Sequence, residues 1–142
     1  MSICGNPILV VDDEPLVALW LEDTLSKCGY GVVVAHDAIE ALELIEGTDN
    51  PFSVLLTDID LGRGLPTGWD VADRARRLDP GFPIIYMTGK SAADWATRGV
   101  VGSILLSKPF CIDEVVEAIA TIKDRQVEAS GASVAVGADV AA

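Results

Sequence analysis

Positive charge is scarce: ten Lys and Arg stand against 22 Asp and Glu in 142 residues, a formal net charge of −12. Nucleic-acid surfaces need clustered cations that displace counterions from phosphates, so direct nucleic-acid binding is not expected. Histidine is scarcer still, with His36 alone, and the three cysteines (Cys4, Cys28, Cys111) are scattered. A lone imidazole without a second imidazole or thiol does not build a transition-metal site, so His36 is read as structural or surface. An odd, dispersed set of thiols does not make a disulfide framework, and the cysteines are read as small hydrophobes. Aromatics are 6% of the chain; Trp20, Trp69 and Trp95 are read as packing or edge residues, with Trp95 a candidate partner contact. No apolar run approaches the ~20 residues of a membrane span. The N-terminus MSICGNPILVV has neither a basic region nor the long apolar core of a secretory signal. A reduced cytoplasm is the expected location.

What is present is hydrophobic residues at 50%, enough for one continuous core in a chain of this length, with no room for a second folded module. They gather into five short runs: ILVV at 8–11, VVVA at 32–35, VLL at 54–56, IIYM at 84–87 and ILL at 104–106. The runs are continuous rather than alternating, as in strands covered on both faces of a parallel sheet. Segments of helical period separate them. Pro15 suits the first turn of a helix with Val17, Leu21 and Leu25 inward, ending at Gly29. Asp37 and Glu40 form a capping-box pattern ahead of Leu42 and Ile45, with Gly47 as the stop. Thr67 is a candidate cap for a third helix with Val71, Ala75 and Leu78 inward, broken at Asp79-Pro80-Gly81. A short fourth helix fits between Ser91 and Arg98, and a fifth from about Cys111 to Arg125 turns Val115, Ile119 and Ile122 inward. Five strand–helix alternations predict a doubly wound α/β domain with a five-stranded parallel sheet and five helices, because parallel neighbours need right-handed crossovers. The domain is expected to span 1–125. The remainder, 126–142, is low-complexity and is expected to be disordered.

Ligands bind such folds at the carboxyl ends of the strands. The first strand is followed by Asp12-Asp13-Glu14, the third by Asp58, the fourth by Thr88-Gly89 and the fifth by Lys108-Pro109. Carboxylates brought together repel unless a cation neutralises them. An open, oxygen-rich site suits Mg²⁺. Lys108, the Thr88 hydroxyl and the Gly89 N–H would add donors for phosphate oxygens. Together the groups fit phosphoryl transfer to a carboxylate nucleophile. Each also has a plainer reading: Asp12 and Asp13 as a solvated turn at a helix start, Thr88 as a cap, Lys108 as a loop lysine, Gly89 as a turn glycine. The ordered spacing of all of them favours the site.

DDE at 12–14, Asp58, Thr88 and KPF at 108–110 resemble the receiver domain of bacterial two-component response regulators, over roughly residues 7–125. The resemblance implies a flavodoxin-like sheet of order 2-1-3-4-5. It implies Asp58 as phosphoacceptor, and Asp12, Asp13, Asp58 and the Asp60 backbone carbonyl as Mg²⁺ ligands. Lys108 and Thr88 would hold phosphoryl oxygens, joined by the backbone N–H groups of Ile59 and Gly89. Asp60 and Lys90 resemble the receiver pair that flanks the path of water to the acyl phosphate and tunes its lifetime. The implied partners are a sensor histidine kinase or histidine phosphotransfer protein and a downstream protein target, with a homodimer as a further option.

The chain departs from the family in three places. Leu105 stands where most receivers carry Tyr or Phe, so the two-rotamer aromatic readout is in question. The loop DLGRGLPTGWD at 60–70 lacks the usual Met-Pro and is longer by about two residues than its receiver counterpart, and the fourth crossover is short. With YMTG at 86–89, these features resemble single-domain receivers common in alphaproteobacteria. The leading expectation is a stand-alone phosphoacceptor, which self-dephosphorylates and is not a turnover enzyme. A Mg²⁺-dependent phosphatase of the haloacid dehalogenase-like type is one alternative, because Asp58-Ile59-Asp60 follows a strand; a non-phosphorylated receiver-like binding module is another.

Overall fold

A computed structural model describes residues 6–47, 52–61, 66–89 and 95–131. Five parallel strands form one sheet: β1 (Ile8–Val11), β2 (Val32–Ala35), β3 (Val54–Asp58), β4 (Ile84–Thr88) and β5 (Ile104–Ser107), in the order β2-β1-β3-β4-β5. The helices are α1 (Pro15–Lys27), α2 (Ala38–Glu46), α3 (Gly68–Leu78), the single turn α4 (Trp95–Arg98) and α5 (Ile112–Gly131). This is the flavodoxin-like arrangement expected of the alternating pattern.

Both faces of the sheet are covered. Leu9, Val11, Leu55, Ile84 and Tyr86 point to one side and pack with Ala38, Ala41 and Ile45 of α2 and Trp69, Val71, Ala72 and Ala75 of α3. Ile8, Val10, Val54, Leu56, Ile85 and Met87 point to the other, against Leu21 and Leu25 of α1 and Val115, Ala118, Ile119 and Ile122 of α5. Alternate residues of each central strand thus serve opposite layers, which is why the apolar runs have no polar face.

Local chemistry sets the helix ends. Pro15 opens α1, and Gly29, at φ 98°, closes it. Gly29 N–H donates to the Ser26 carbonyl and Tyr30 N–H to that of Leu25, the paired bonds that need a left-handed residue after a helix. Asp37 caps α2 by accepting from Glu40 N–H, but the Glu40 carboxylate reaches one residue further back than a capping box requires, to His36 N–H at 2.9 Å. Thr67 and Asp70 form a full capping box on α3. Two expectations are corrected. Leu78 lies half in solvent rather than inward, because it ends the helix just before the Asp79 turn; Ala72 and Trp69 fill the buried face instead. Helix α5 continues past Arg125 to Gly131, since Gln126 to Ala129 contains good helix formers. Positions 132–142 lie outside the described residues.

Candidate functional site

Strand order reverses beside β1, so a crevice opens between the ends of β1 and β3. Asp12 follows β1 and Asp58 closes β3, with 0% and 4% of their surfaces exposed. Each carboxylate is steadied by the chain two residues on: Glu14 N–H donates to Asp12 Oδ1 at 2.9 Å and Asp60 N–H to Asp58 Oδ1 at 3.1 Å. Lys108 arrives from the end of β5, fixed by its own N–H donating to the Thr88 carbonyl at 2.8 Å. Its Nζ lies 3.1 Å from Asp58 Oδ2, 3.4 Å from Asp12 Oδ2 and 3.6 Å from Glu14 Oε1. The Lys108–Pro109 peptide bond is cis.

One ammonium therefore serves two buried carboxylates. Burial pushes the Asp58 carboxyl up to about 6, against the opposing pull of Lys108, and the nearby Asp12 charge adds to the rise. Burial likewise raises Asp12. For Lys108, burial favours loss of the proton, but the charges of Asp58, Asp12 and Glu14 outweigh it and hold the ammonium above its ordinary value. The imbalance is one of excess negative charge. Asp13, exposed at the rim, adds to it: one oxygen each from Asp12, Asp13 and Asp58 fall within 4.8 Å of one another. Hard oxygen donors with an open side fit a cation such as Mg²⁺, and a divalent ion would offset the repulsion that burial creates.

Comparison with known proteins agrees with this geometry. Residues 8–120 match the family model of the response regulator receiver domain. The chain belongs to that family. Among solved structures, this receiver resembles a response regulator receiver protein from Sinorhizobium medicae, with a TM-score of 0.82 and 34% identity over 88% of this chain and 99% of that one. Among curated relatives, it is 34% identical to response regulator MprA of Mycobacterium ulcerans over 76% of this chain and 46% of the relative. It is also 28% identical to the sensor histidine kinase RcsC of Salmonella typhi, over 83% of this chain and 12% of that one. The chain thus spans less than half the length of these curated relatives. A place in two-component signalling follows from membership.

The remaining predicted residues of the receiver site fall as follows. Thr88 ends β4, buried, in register with Ser107 of β5. Gly89 is exposed, and a Cβ there would meet nothing within 4 Å, so its backbone is open to approach. Asp60 is half-buried beside Asp58. Lys90 lies outside the described residues. Ile59 N–H donates to the Met87 carbonyl at 3.0 Å in the β3–β4 ladder, and the amide that donates to the Asp58 carboxylate is that of Asp60. Leu105 is half-buried on β5, paired in register with Tyr86.

The roles of two residues escaped the sequence reading. Gly68 donates to the Ile59 carbonyl at 3.0 Å, and a Cβ on it would stand 2.1 Å from the Asp58 carbonyl oxygen. The start of α3 therefore rests directly on the backbone that carries Asp58. A glycine at the first helical position, right after a threonine cap, was the available signal. Tyr86 is the second: a phenol inside the apolar run IIYM must find a polar partner.

Proposed function

We propose that this receiver accepts a phosphoryl group on Asp58. The observation that carries the reading is a buried carboxylate at the tip of β3, with its Oδ2 paired to Lys108 and its Oδ1 held by Asp60 N–H. With a phosphohistidine as donor, an Asp58 oxygen forms a bond to phosphorus as the phosphorus–nitrogen bond breaks, and the leaving imidazole keeps the electron pair and takes up a proton. Lys108 pairs with the incoming phosphoryl oxygens, and the Thr88 hydroxyl and Gly89 N–H donate to others. Asp12, Asp13, Asp58 and the Asp60 carbonyl would hold Mg²⁺, which supplies neutralising charge to the pocket and to the phosphoryl group. Water later attacks phosphorus and releases phosphate. Asp60 and Lys90, by their resemblance to the receiver pair that tunes lifetime, are assigned that role; Asp60→Asn and Lys90→Ala should each change the dephosphorylation rate, and unchanged rates would remove them from it.

The donor is a sensor histidine kinase or a histidine phosphotransfer protein, and output passes to a protein target or a second copy of the chain. The net charge of −12 suits protein partners rather than nucleic acid. The chain works in the cytoplasm and does not turn over an external substrate. Incubation with Mg²⁺ and excess acetyl phosphate tests this: accumulation of one phosphoryl group per chain, by intact mass, is the expected result. Absence of any adduct points to a binding module, and rapid turnover of p-nitrophenyl phosphate points to a phosphatase.

A further inference from the structure

Tyr86 is fully buried in β4, two residues before Thr88 and on the same face of the sheet. Its ring packs against Trp69 of α3 at 4.8 Å between centroids, and its hydroxyl oxygen accepts Val100 N–H at 3.1 Å. The Val100 carbonyl accepts the Ser103 hydroxyl at 2.7 Å, and the Ser103 oxygen accepts Trp95 Nε1–H at 2.9 Å. The indole of Trp95 in turn covers Gly99, where an added Cβ would lie 2.4 Å from its ring. An unbroken polar chain therefore runs from the interior of β4 through the turn before β5 to α4. Burial pushes the Tyr86 hydroxyl up to about 12, so it stays neutral.

We infer that Tyr86 is a positioning residue that locks the turn at Val100–Ser103 and Trp95 of α4 to β4, so that a displacement at Thr88 moves them with the strand. This rests on Asp58 being the phosphoacceptor. It gives a route to the β5 edge where Leu105, the register partner of Tyr86, has no hydroxyl to swing. Strand β4 is held on both sides by ladder bonds and buried throughout, so a pull on its last residue is conveyed along it rather than absorbed.

The test compares the full chain and Tyr86→Phe, each with and without Mg²⁺ and beryllofluoride, by nuclear magnetic resonance and amide exchange. In the native chain, beryllofluoride should shift the Asp60 amide, shift the Trp95 indole N–H and change exchange at Val100 and Ser103. In Tyr86→Phe, the ring still packs on Trp69, the Asp60 amide still shifts and beryllofluoride affinity is unchanged. Val100 then exchanges about tenfold faster in both states, and the Trp95 response is lost. Ser103→Ala provides a second cut: the Trp95 response is lost while that of Val100 remains. A Trp95 shift of native size in both variants overturns the inference, as does a native chain whose Asp60 amide moves while 95–103 stay still. If the Asp60 amide does not move in the native chain, the phosphoacceptor reading falls and this inference with it.

Discussion

The middle of the sheet and its β5 edge are built from similar apolar residues but to different standards. Strands β1, β3 and β4 are buried at every position, whereas β5 is only half-covered along Ile104–Leu106 and exposed at Ser107. The buried carboxylates sit at the tips of the buried strands, Asp12 after β1 and Asp58 at the end of β3, while their cation, Lys108, comes from the end of β5. A carboxylate can be held there without its full solvation because the ladder and the packed layers fix its backbone, and Gly68 seals the Asp58 carbonyl from the side. The edge, laddered on one side only, to β4, is further secured by hydrogen bonds through the side chains of Tyr86, Ser103 and Trp95. Rigid backbone holds the buried carboxylates, and the edge is latched to that backbone through side chains.

Substitutions at matched positions probe that contrast, starting from the largest expected effect. Ile85 of β4 and Ile104 of β5 are register partners, so the same deletion reads both regions. Ile85→Ala in the buried layer should cost about 2–5 kcal/mol by urea unfolding. Next comes Asp58→Asn. The folded carboxyl titrates at about 6 against an ordinary 3.8, so between those values the native state binds more protons than the unfolded one. The contribution of Asp58 to the stability of the metal-free chain is therefore fully present below pH 4 and is lost as pH rises through 6, a slope to which Asp12 adds in the same direction. Asp58→Asn should remove most of this slope and stabilise the metal-free chain at pH 7 by about 2–3 kcal/mol, read as a raised unfolding midpoint. A loss of stability instead would mean that the Lys108 pair outweighs the burial of charge. Ile104→Ala should cost only about 1–2 kcal/mol; a cost equal to that of Ile85→Ala would erase the distinction between centre and edge. Smallest is Glu46→Ala, which removes the 2.7 Å bond from Arg74 between two half-exposed side chains and should change stability by less than about 1 kcal/mol.

The fold was legible because parallel strands covered on both faces leave an unmistakable trace: runs such as ILVV and IIYM with no alternation, each followed by helical period. The pocket was legible because its charged residues follow those runs within two positions, so knowing where a strand stops is knowing where Asp12, Asp58 and Lys108 meet. Contacts made by backbone were not legible. Nothing in the residue names tells that Ile59 N–H stays in the ladder while Asp60 N–H turns to the carboxylate, because both choices suit any side chain. Leu78 misled for another reason: helical period says which residues share a face, but not where the neighbouring layer ends. Tyr86 was hidden by its setting, since its partner is a main-chain N–H 14 residues away.

Among the described residues five carboxylates, those of Asp12, Asp13, Glu14, Asp58 and Asp60, lie at or beside the pocket, and the proposed function turns on Asp58 being the acceptor. Tandem mass spectrometry of the chain phosphorylated by acetyl phosphate and Mg²⁺ reads this directly. The phosphoryl group should map to Asp58, and Asp58→Asn should carry none. A label on Asp12, Asp13 or Asp60, or full labelling of Asp58→Asn, would contradict it.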